Sequence, residues 1–175
     1  MLDRLASFCR LAPIPSLPAA LAATCTLALL LAPMRAWANP YNVSEIPRMI
    51  KEREARKLHD AGIHSTDELL RRAPGPEQRR QLAKQTGIGG ARIDQLARCA
   101  DLLRLQNIGP EFVMLLEAAG VKSISNLAAL SPPALTKKMA ALNRTRHIAN
   151  PAPAEAQTRD WVTQAAKLPA ALSAR

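Results

Sequence analysis

The sequence has few aromatic residues and no sustained alternation of apolar and polar residues. Only 3% of its 175 residues are aromatic, and β-branched residues are sparse, so the usual signals of β-strands are missing. Apolar residues instead recur at three- and four-residue steps between glycines and prolines, a pattern typical of helices. We therefore predict an all-α fold, a compact helical bundle.

Cysteine is also scarce, which excludes a framework of disulfides. Of the three cysteines, Cys9 and Cys25 lie close to the N-terminus, and Cys99 lies in an expected helix. If the N-terminal segment is removed, Cys99 has no cysteine to pair with. We expect it to be a small buried apolar residue.

Catalytic motifs are missing as well. Neither a Gly-x-Ser-x-Gly elbow nor a P-loop occurs, and the three histidines are scattered. A glycine separates His59 from His64, so we expect these two not to share a helical face. Several carboxylates alternate with basic residues as solvated surface pairs do, namely Glu52, Glu54, Asp67 and Glu68. The sequence thus indicates a protein that is not an enzyme, with no cofactor and no metal site.

The N-terminal segment has the features of an export signal. Arg4 and Arg10 precede an uncharged, mostly apolar run from Leu17 to Met34. Prolines near both ends leave this run shorter than the ~20 residues of a membrane span. It is followed by Ala36-Trp37-Ala38, an Ala-x-Ala cleavage pattern. We expect a signal peptide of residues 1–38, cleaved after Ala38, although an uncleaved membrane anchor is the alternative.

The mature chain would be one domain of residues 39–175, periplasmic or secreted and no longer an integral membrane protein. Three of the 24 basic residues and one of the 14 acidic residues lie in residues 1–38, so the mature chain keeps 21 and 13, a net charge of +8. A positive surface favours an anionic partner such as nucleic acid, acidic lipid or an acidic protein.

Glycines, serines and prolines mark the ends of the expected helices. Gly62, Gly87 and Gly120 follow apolar-periodic segments, at the left-handed position that glycine adopts most easily. Ser65-x-x-Glu68 is a capping box, and Pro76 suits the first turn of a helix. The expected helices are one capped by Ser44 that reaches Ala61, one from Ser65 to near Arg72, Pro76 to Thr86, Gly90 to Leu105 as the longest, Glu111 to Ala119, a short one after Ser123, Ser131 to Leu142, and Glu155 to Leu168.

The same periodicity predicts which residues form the core. Apolar residues on one side of each expected helix should pack together. They are Leu58, Ile63, Leu69, Leu82, Ile93, Leu96, Leu103, Ile108, Val113, Leu116, Val121, Leu127, Leu135 and Trp161.

Part of the pattern occurs twice. The apolar, glycine and serine positions from Leu58 to Leu69 recur from Leu116 to Leu127. Upstream, Met49-Ile50-Lys51 corresponds to Asn107-Ile108-Gly109. The sequence therefore indicates one unit present twice: a turn, a helix, a glycine stop, a serine cap and a short helix.

Several sequence blocks occur in an order that resembles a known family. They are AGIHSTDELL, LAKQTGI, ADLLRLQNIGPEFVMLLEAAGVKSISNLA and RDWVTQAAKLP. From about residue 45 to 169 the chain resembles the bacterial domain of unknown function 4332, which looks like a relative of the helix-hairpin-helix domains. The resemblance implies two degenerate helix-hairpin-helix-like units with a C-terminal helix, and no settled activity. The chain departs from the pattern at Arg48-Met49-Ile50-Lys51, where glycines would be expected, and at Asn107.

Two glycine-containing turns are candidate phosphate sites. In a helix-hairpin-helix, a Gly-apolar-Gly turn aims the free N–H groups of the next helix at a phosphate. Asn107-Ile108-Gly109-Pro110 fits this pattern in part, and Gly87-Ile88-Gly89 fits it better. Arginines that could add phosphate contacts are Arg71, Arg72, Arg79, Arg80 and Arg92. The alternative, which we favour, is that these turns only join antiparallel helices.

The second of these turns also has the spacing of a helix-turn-helix, with Gly87 at the turn. The exposed positions of its second helix would be Gly90, Ala91, Arg92, Asp94, Gln95 and Arg98. Export argues against a transcription factor, because the genome lies on the other side of the membrane.

Two functions are open from the sequence. The first is an exported binding or scaffolding module without enzymatic activity, whose partner is another protein. The second is a sequence-independent DNA-binding protein that contacts the phosphate backbone of duplex DNA through its turns. We expect the protein partner, because one turn has lost its glycines and the other keeps only part of the pattern.

Overall fold

Residues 40–173, which the computed structural model describes, form eight helices and no β-strand. The all-α fold class is therefore confirmed. The signal peptide and its cleavage residues Ala36 and Ala38 lie outside the described residues. None of the eight helices is long and apolar enough to cross a membrane. The helices are α1 (Glu52–Asp60), α2 (Thr66–Arg72), α3 (Pro76–Thr86), α4 (Gly90–Leu102), α5 (Pro110–Ala118), α6 (Ile124–Ala128), α7 (Pro132–Arg146) and α8 (Glu155–Lys167).

Local punctuation begins and ends several helices where the sequence predicts. Glu68 N donates to Ser65 Oγ, and Ser65 N donates to Glu68 Oε2, both at 3.2 Å, so the capping box of α2 is formed. Pro76 is the first residue of α3, where its missing N–H has no partner to lose. Gly87 ends that helix in the left-handed conformation, at φ +60°.

The first helix begins later than predicted, at Glu52 and not after Ser44. The chain before it makes turns, and Pro47 has no N–H with which to continue a helical ladder. Lys51 is extended, with φ −65° and ψ 148°, and its N–H donates to Glu54 Oε2 at 3.0 Å. Ser44 Oγ instead lies 3.2 Å from His59 Nε2.

Two further helix ends differ from the prediction. α4 stops at Leu102, not at Leu105, because the chain tightens into turns whose N–H groups bond three residues back. α7 extends past Leu142 to Arg146 and, with 15 residues, is longer than α4. Its extension is held by Asn143, whose amide bonds both the N–H and the C=O of Ala149.

All fourteen residues of the predicted core are buried, each with 4% or less of its surface exposed. α8 packs on α6 and α7, and α4 packs on α2 and α3. Trp161 of α8 is fully buried, with its ring centroid 5.2 Å from that of the half-buried Phe112. A tryptophan side chain buries 150–250 Å², so α8 is part of the core.

A buried ion pair fastens the chain that follows α8. Arg104 Nη1 donates to Asp101 Oδ1 at 2.6 Å and to Pro169 O at 3.0 Å. Burial raises the pKa of the Asp101 carboxyl, in spite of the opposing effect of Arg104. Further on, Ser173 N donates to Pro74 O at 2.9 Å. The C-terminal tail, residues 169–173, is thus held against the loop between α2 and α3.

Two segments of the chain have the same local conformation. Gly62 follows α1 at φ +76°, and Gly120 follows α5 at φ +87°. The next residue in each case bonds back to a leucine C=O five residues earlier, at 2.9 and 3.0 Å. A serine then caps a short helix, α2 or α6. These helix ends therefore depend on residues that tolerate positive φ.

We expect Gly62→Ala and Gly120→Ala each to lower the free energy of unfolding by about 1 kcal/mol, because a Cβ is strained at positive φ. Crowding would not contribute to either loss of stability. Nothing lies within 4 Å of a Cβ at Gly62, and at Gly120 the only atom at that distance is Lys138 Nζ, at 4.0 Å. Gly90→Ala is the control, since Gly90 is helical and unobstructed, and it should stabilise by about 0.5 kcal/mol. Urea denaturation measures all three, and equal midpoints would contradict the assignment of these helix ends.

Candidate functional site

Three turns lead into helices, and each places an isoleucine in the core. Ile50, Ile88 and Ile108 are 2%, 6% and 4% exposed. Gly87 and Asn107 adopt the same left-handed conformation, at φ +60° and +57°. Asn107 therefore does what the sequence predicts for an asparagine in a glycine position. The three turns differ in what surrounds them.

The first turn, Met49-Ile50-Lys51, is closed by Arg92. Arg92 Nη2 donates to Met49 O at 2.6 Å and to Glu54 Oε2 at 2.8 Å, while its Nε donates to Glu54 Oε1 at 2.8 Å. Its Nη1 donates to Gln95 Oε1 at 2.7 Å. We call this arrangement the Arg92 clamp. It joins α1 to α4 and engages the half-buried guanidinium of Arg92 in bonds within the protein, so the predicted phosphate contact would require some of these bonds to break.

The Arg92 clamp perturbs both charged groups. The hydrogen bond from Arg92 lowers the pKa of the Glu54 carboxyl, and this effect exceeds the opposing effect of burial. The same bond raises the pKa of the Arg92 guanidinium. Both shifts favour the ionised pair, as expected for a half-buried bidentate contact.

The third turn, Asn107-Ile108-Gly109-Pro110, carries its own anion. Glu111 Oε2 lies 3.5 Å from the position that a Cβ on Gly109 would take, and Glu111 Oε1 lies 3.8 Å from Arg48 Nη1. A carboxylate at the start of α5 interacts with the helix dipole and repels a phosphate. The turn is also tied to the core, because Tyr41 Oη donates to Ile108 O at 3.3 Å.

The second turn, Gly87-Ile88-Gly89, is open. Gly89 and Gly90 are exposed, and no atom beyond their immediate chain lies within 4 Å of a Cβ on either. The first turn of α4 contains no acidic residue. Lys57 Nζ donates to Gly87 O at 2.9 Å on one side. Of the two predicted glycine turns, this one leaves the start of its helix accessible to an anion.

The start of α4 lines a groove of about 840 Å³. We call it the α4 groove. Its walls come from α3, α4, the loop before α6 and the C-terminal tail. Arg79 is used within the wall, since its Nε pairs with Asp94 Oδ1 at 2.6 Å. The lining residues are Pro76, Arg79, Arg80, Gly90, Ala91, Asp94, Arg98, Lys122, Ser123, Leu172 and Ser173.

The groove is basic and partly apolar. Arg80 pairs with the exposed Glu77 at 3.2 Å, whereas Arg98 and Lys122 form no ion pair with any of residues 40–173. Pro76, Ala91 and Leu172 contribute apolar surface. Lys122 and the tail were not predicted from the sequence, because only the folded chain brings them to α4.

The remaining predicted contact residues, Arg71 and Arg72, lie on α2 and do not line the α4 groove. Arg71 pairs with Asp67 at 3.1 Å along α2, and Arg72 is exposed without an ion pair among the described residues. The proposed recognition helix is not free either. Its polar positions Arg92, Asp94, Gln95 and Arg98 are half-buried, not exposed as predicted, although Gly90 and Ala91 are exposed.

Histidine and cysteine offer no alternative centre within residues 40–173. His64 lies beyond the end of α1, so it does not share a helical face with His59, as expected, but the turn at Gly62 brings the two ring centroids to 4.6 Å from each other. No group of three or more metal-binding side chains occurs in this part of the chain. Cys99 is 2% exposed, and burial raises the pKa of its thiol to about 12, so it is a structural residue.

The helices, the turns and the α4 groove together define a small all-helical module. The family model described as "Domain of unknown function (DUF4332)" matches residues 48–168. The chain belongs to this family, and the resemblance in its sequence blocks is confirmed. No match was found among curated proteins or among solved structures.

We expect Glu54→Gln to lower the free energy of unfolding by about 2 kcal/mol at neutral pH, because it removes the charge from the Arg92 clamp. The folded pKa of Glu54 is lowered from 4.5, so its contribution is present above pH 4.5 and is lost as the pH falls through the folded value. The difference between variant and wild type should therefore shrink in acid. Urea denaturation over a pH series measures it.

Glu52→Gln is the matched control on the same helix. Glu52 pairs with Arg56 at 2.8 Å, but both side chains are exposed, so the effect should be within about 0.5 kcal/mol. Equal losses from both variants would show that the clamp contributes no more than a surface pair.

Proposed function

We propose that this protein is an exported binding module without enzymatic activity that takes an acidic segment of a protein partner in the α4 groove. The observation that carries the proposal is the presence of Arg98 and Lys122, two cations that form no ion pair within residues 40–173, beside the apolar wall of the same groove. An acidic segment with apolar side chains complements both features.

The start of α4 supports an anionic ligand. A helix N-terminus carries a partial positive charge and N–H groups without helical partners. Here the first turn contains no carboxylate to compete, and exposed Gly90 and Ala91 present no bulky side chain. The N-terminus of α4 and the two cations thus all attract an anionic ligand.

The groove does not present the parts of a nucleophilic site. Ser123 Oγ accepts a hydrogen bond from Asn126 N at 3.0 Å as the cap of α6, and no histidine is among the lining residues. Asp94 is held by Arg79. A base within reach of a nucleophile is what covalent catalysis needs, so the arrangement suits binding.

A second candidate is contact with the phosphate backbone of duplex DNA. The open Gly87-Ile88-Gly89 turn favours it, because backbone N–H groups at a glycine turn can approach a phosphate closely. Against it, the first turn is closed by the Arg92 clamp and the third by Glu111. A single open turn can contact only one phosphate of the DNA backbone. We therefore favour a protein as the partner.

We further propose that the two segments ending in Gly62 and Gly120 are copies of one helix-hairpin-helix-like unit. Their shared left-handed glycines and serine caps support this. We also propose a location outside the cytoplasm, on the strength of the N-terminal charge and apolar pattern and the Ala-x-Ala sequence.

Replacing Arg98 and Lys122 together by Gln should weaken binding of an acidic peptide about tenfold, equivalent to about 1.4 kcal/mol. The probe is a fluorescein-labelled peptide of alternating Glu and Leu, followed by fluorescence anisotropy. The control replaces Arg53 and Lys84 by Gln, which removes the same charge from exposed sites that lie outside the groove and form no ion pair with the described residues. Equal weakening by both variants would contradict the assignment to the groove.

Leu172→Ala separates the two candidate partners. It removes apolar surface from the groove and no charge, so it should weaken binding of the acidic peptide and leave binding of a short DNA duplex unchanged. DNA binding should instead fall steeply as salt rises, because counterions are released. Failure of the peptide to bind, together with steeply salt-dependent binding of the duplex, would replace the protein partner by DNA.

A further inference from the structure

The chain from residue 118 to 154 contains no acidic residue. It carries five cations, all exposed and none in an ion pair with the described residues. Elsewhere eight arginines form ion pairs. The five unpaired cations, which we call the cationic face, are Lys122, Lys137, Lys138, Arg144 and Arg146.

The cationic face is centred on α7, where Lys137 and Arg144, seven residues apart, share the side opposite the buried Leu135 and Met139, Lys138 flanks that side, and Arg146 is the last residue of the helix. Four of its members lie on that helix, from Lys137 to Arg146, and at ~1.5 Å per residue they span about 14 Å along the helix axis. Lys138 Nζ lies 4.0 Å from the position of a Cβ on Gly120, so α7 contacts the turn that leads to Lys122, two residues further along the chain. On α8, Glu155 pairs with Arg159 and Asp160 accepts a bond from Gln164.

The face carries charge without apolar anchors. α7 buries Leu135 and Met139 in the core. Its exposed residues other than the cations are Pro133, Ala134, Ala141 and Thr145. Protein interfaces are centred on aromatic side chains and are depleted in lysine, and this surface has the opposite composition.

The start of α7 also lacks the means to hold a phosphate in place. Pro132 and Pro133 occupy its first turn, and neither has an N–H to donate. The available contacts are long, flexible lysine and arginine side chains. Such contacts suit a dense, mobile layer of negative charge, as on an anionic bilayer.

We propose that the cationic face docks on the surface of an anionic lipid bilayer. The contact is electrostatic and does not insert into the hydrocarbon, because no bulky apolar side chain projects from the face. This inference does not rest on the proposed function: Lys122 also lines the α4 groove, but the four cations on α7 do not. Each cation near an anionic surface strengthens binding about fivefold.

The test is co-sedimentation with vesicles of phosphatidylcholine containing about one third phosphatidylglycerol, with pure phosphatidylcholine vesicles beside them. The protein should bind only the anionic vesicles. Replacing Lys137, Lys138 and Arg144 by Gln should reduce the partition coefficient between about tenfold and a hundredfold. Glutamine is a good helix former, so α7 should persist.

The matched control replaces Lys51, Arg53 and Lys84 by Gln. It removes the same net charge from exposed residues at or near α1 and on α3 that form no ion pair within the described part of the chain, and it should retain most of the binding. Equal losses in both triple variants would overturn the proposal in favour of net charge alone. Absence of binding to the anionic vesicles would overturn the proposal. It would also be overturned if the replacement of Lys137, Lys138 and Arg144 weakened binding of a DNA duplex but left binding of the vesicles unchanged.

Discussion

The Arg92 clamp is the interaction on which the positions of the first half of the fold depend. The first turn has methionine and lysine where the third has asparagine and glycine, and its main chain is not held by glycine geometry. One guanidinium instead bonds Met49 O and both oxygens of Glu54, and so fixes α1 against α4. Because Arg92 points inward to do this, the start of α4 is left with small residues on its exposed side. A side chain that could have gripped a ligand stabilises the protein, and the open groove lies beside it.

Charge is distributed unevenly over the molecule. The carboxylates mostly serve pairs, caps and the clamp, as Glu54, Glu68 and Asp101 do. Six of the twelve lysines and arginines of residues 40–173 that form no ion pair line the α4 groove or belong to the cationic face. Isolated exposed ion pairs contribute little to stability, so this separation has more effect on what the protein attracts than on how firmly it folds. It provides two anion-attracting surfaces of different character, one concave with apolar walls and one long and purely polar.

The sequence predicted what local chemistry decides. Gly62, Gly87 and Gly120 ended helices as expected, Ser65 capped one, and apolar periodicity identified the core through Trp161. The errors came from contacts between residues far apart or just beyond a predicted end, such as Asn143 with Ala149 in the extended α7. The candidate site was harder to predict from the sequence for the same reason. Arg92 has its partner 38 residues away, and the groove needs a tail that bonds to Arg104 and Pro74, residues far from it in the sequence.

The buried thiol of Cys99 gives the protein an internal reporter. The residue lies on α4 beside Arg92 and Glu117, and its raised pKa keeps it as the unreactive thiol in the closed state. A thiol reagent therefore reacts only when this region opens, at a rate set by the population of the open form. The natural thiol of Cys99 thus makes local opening near the Arg92 clamp measurable with a thiol reagent and without an engineered cysteine.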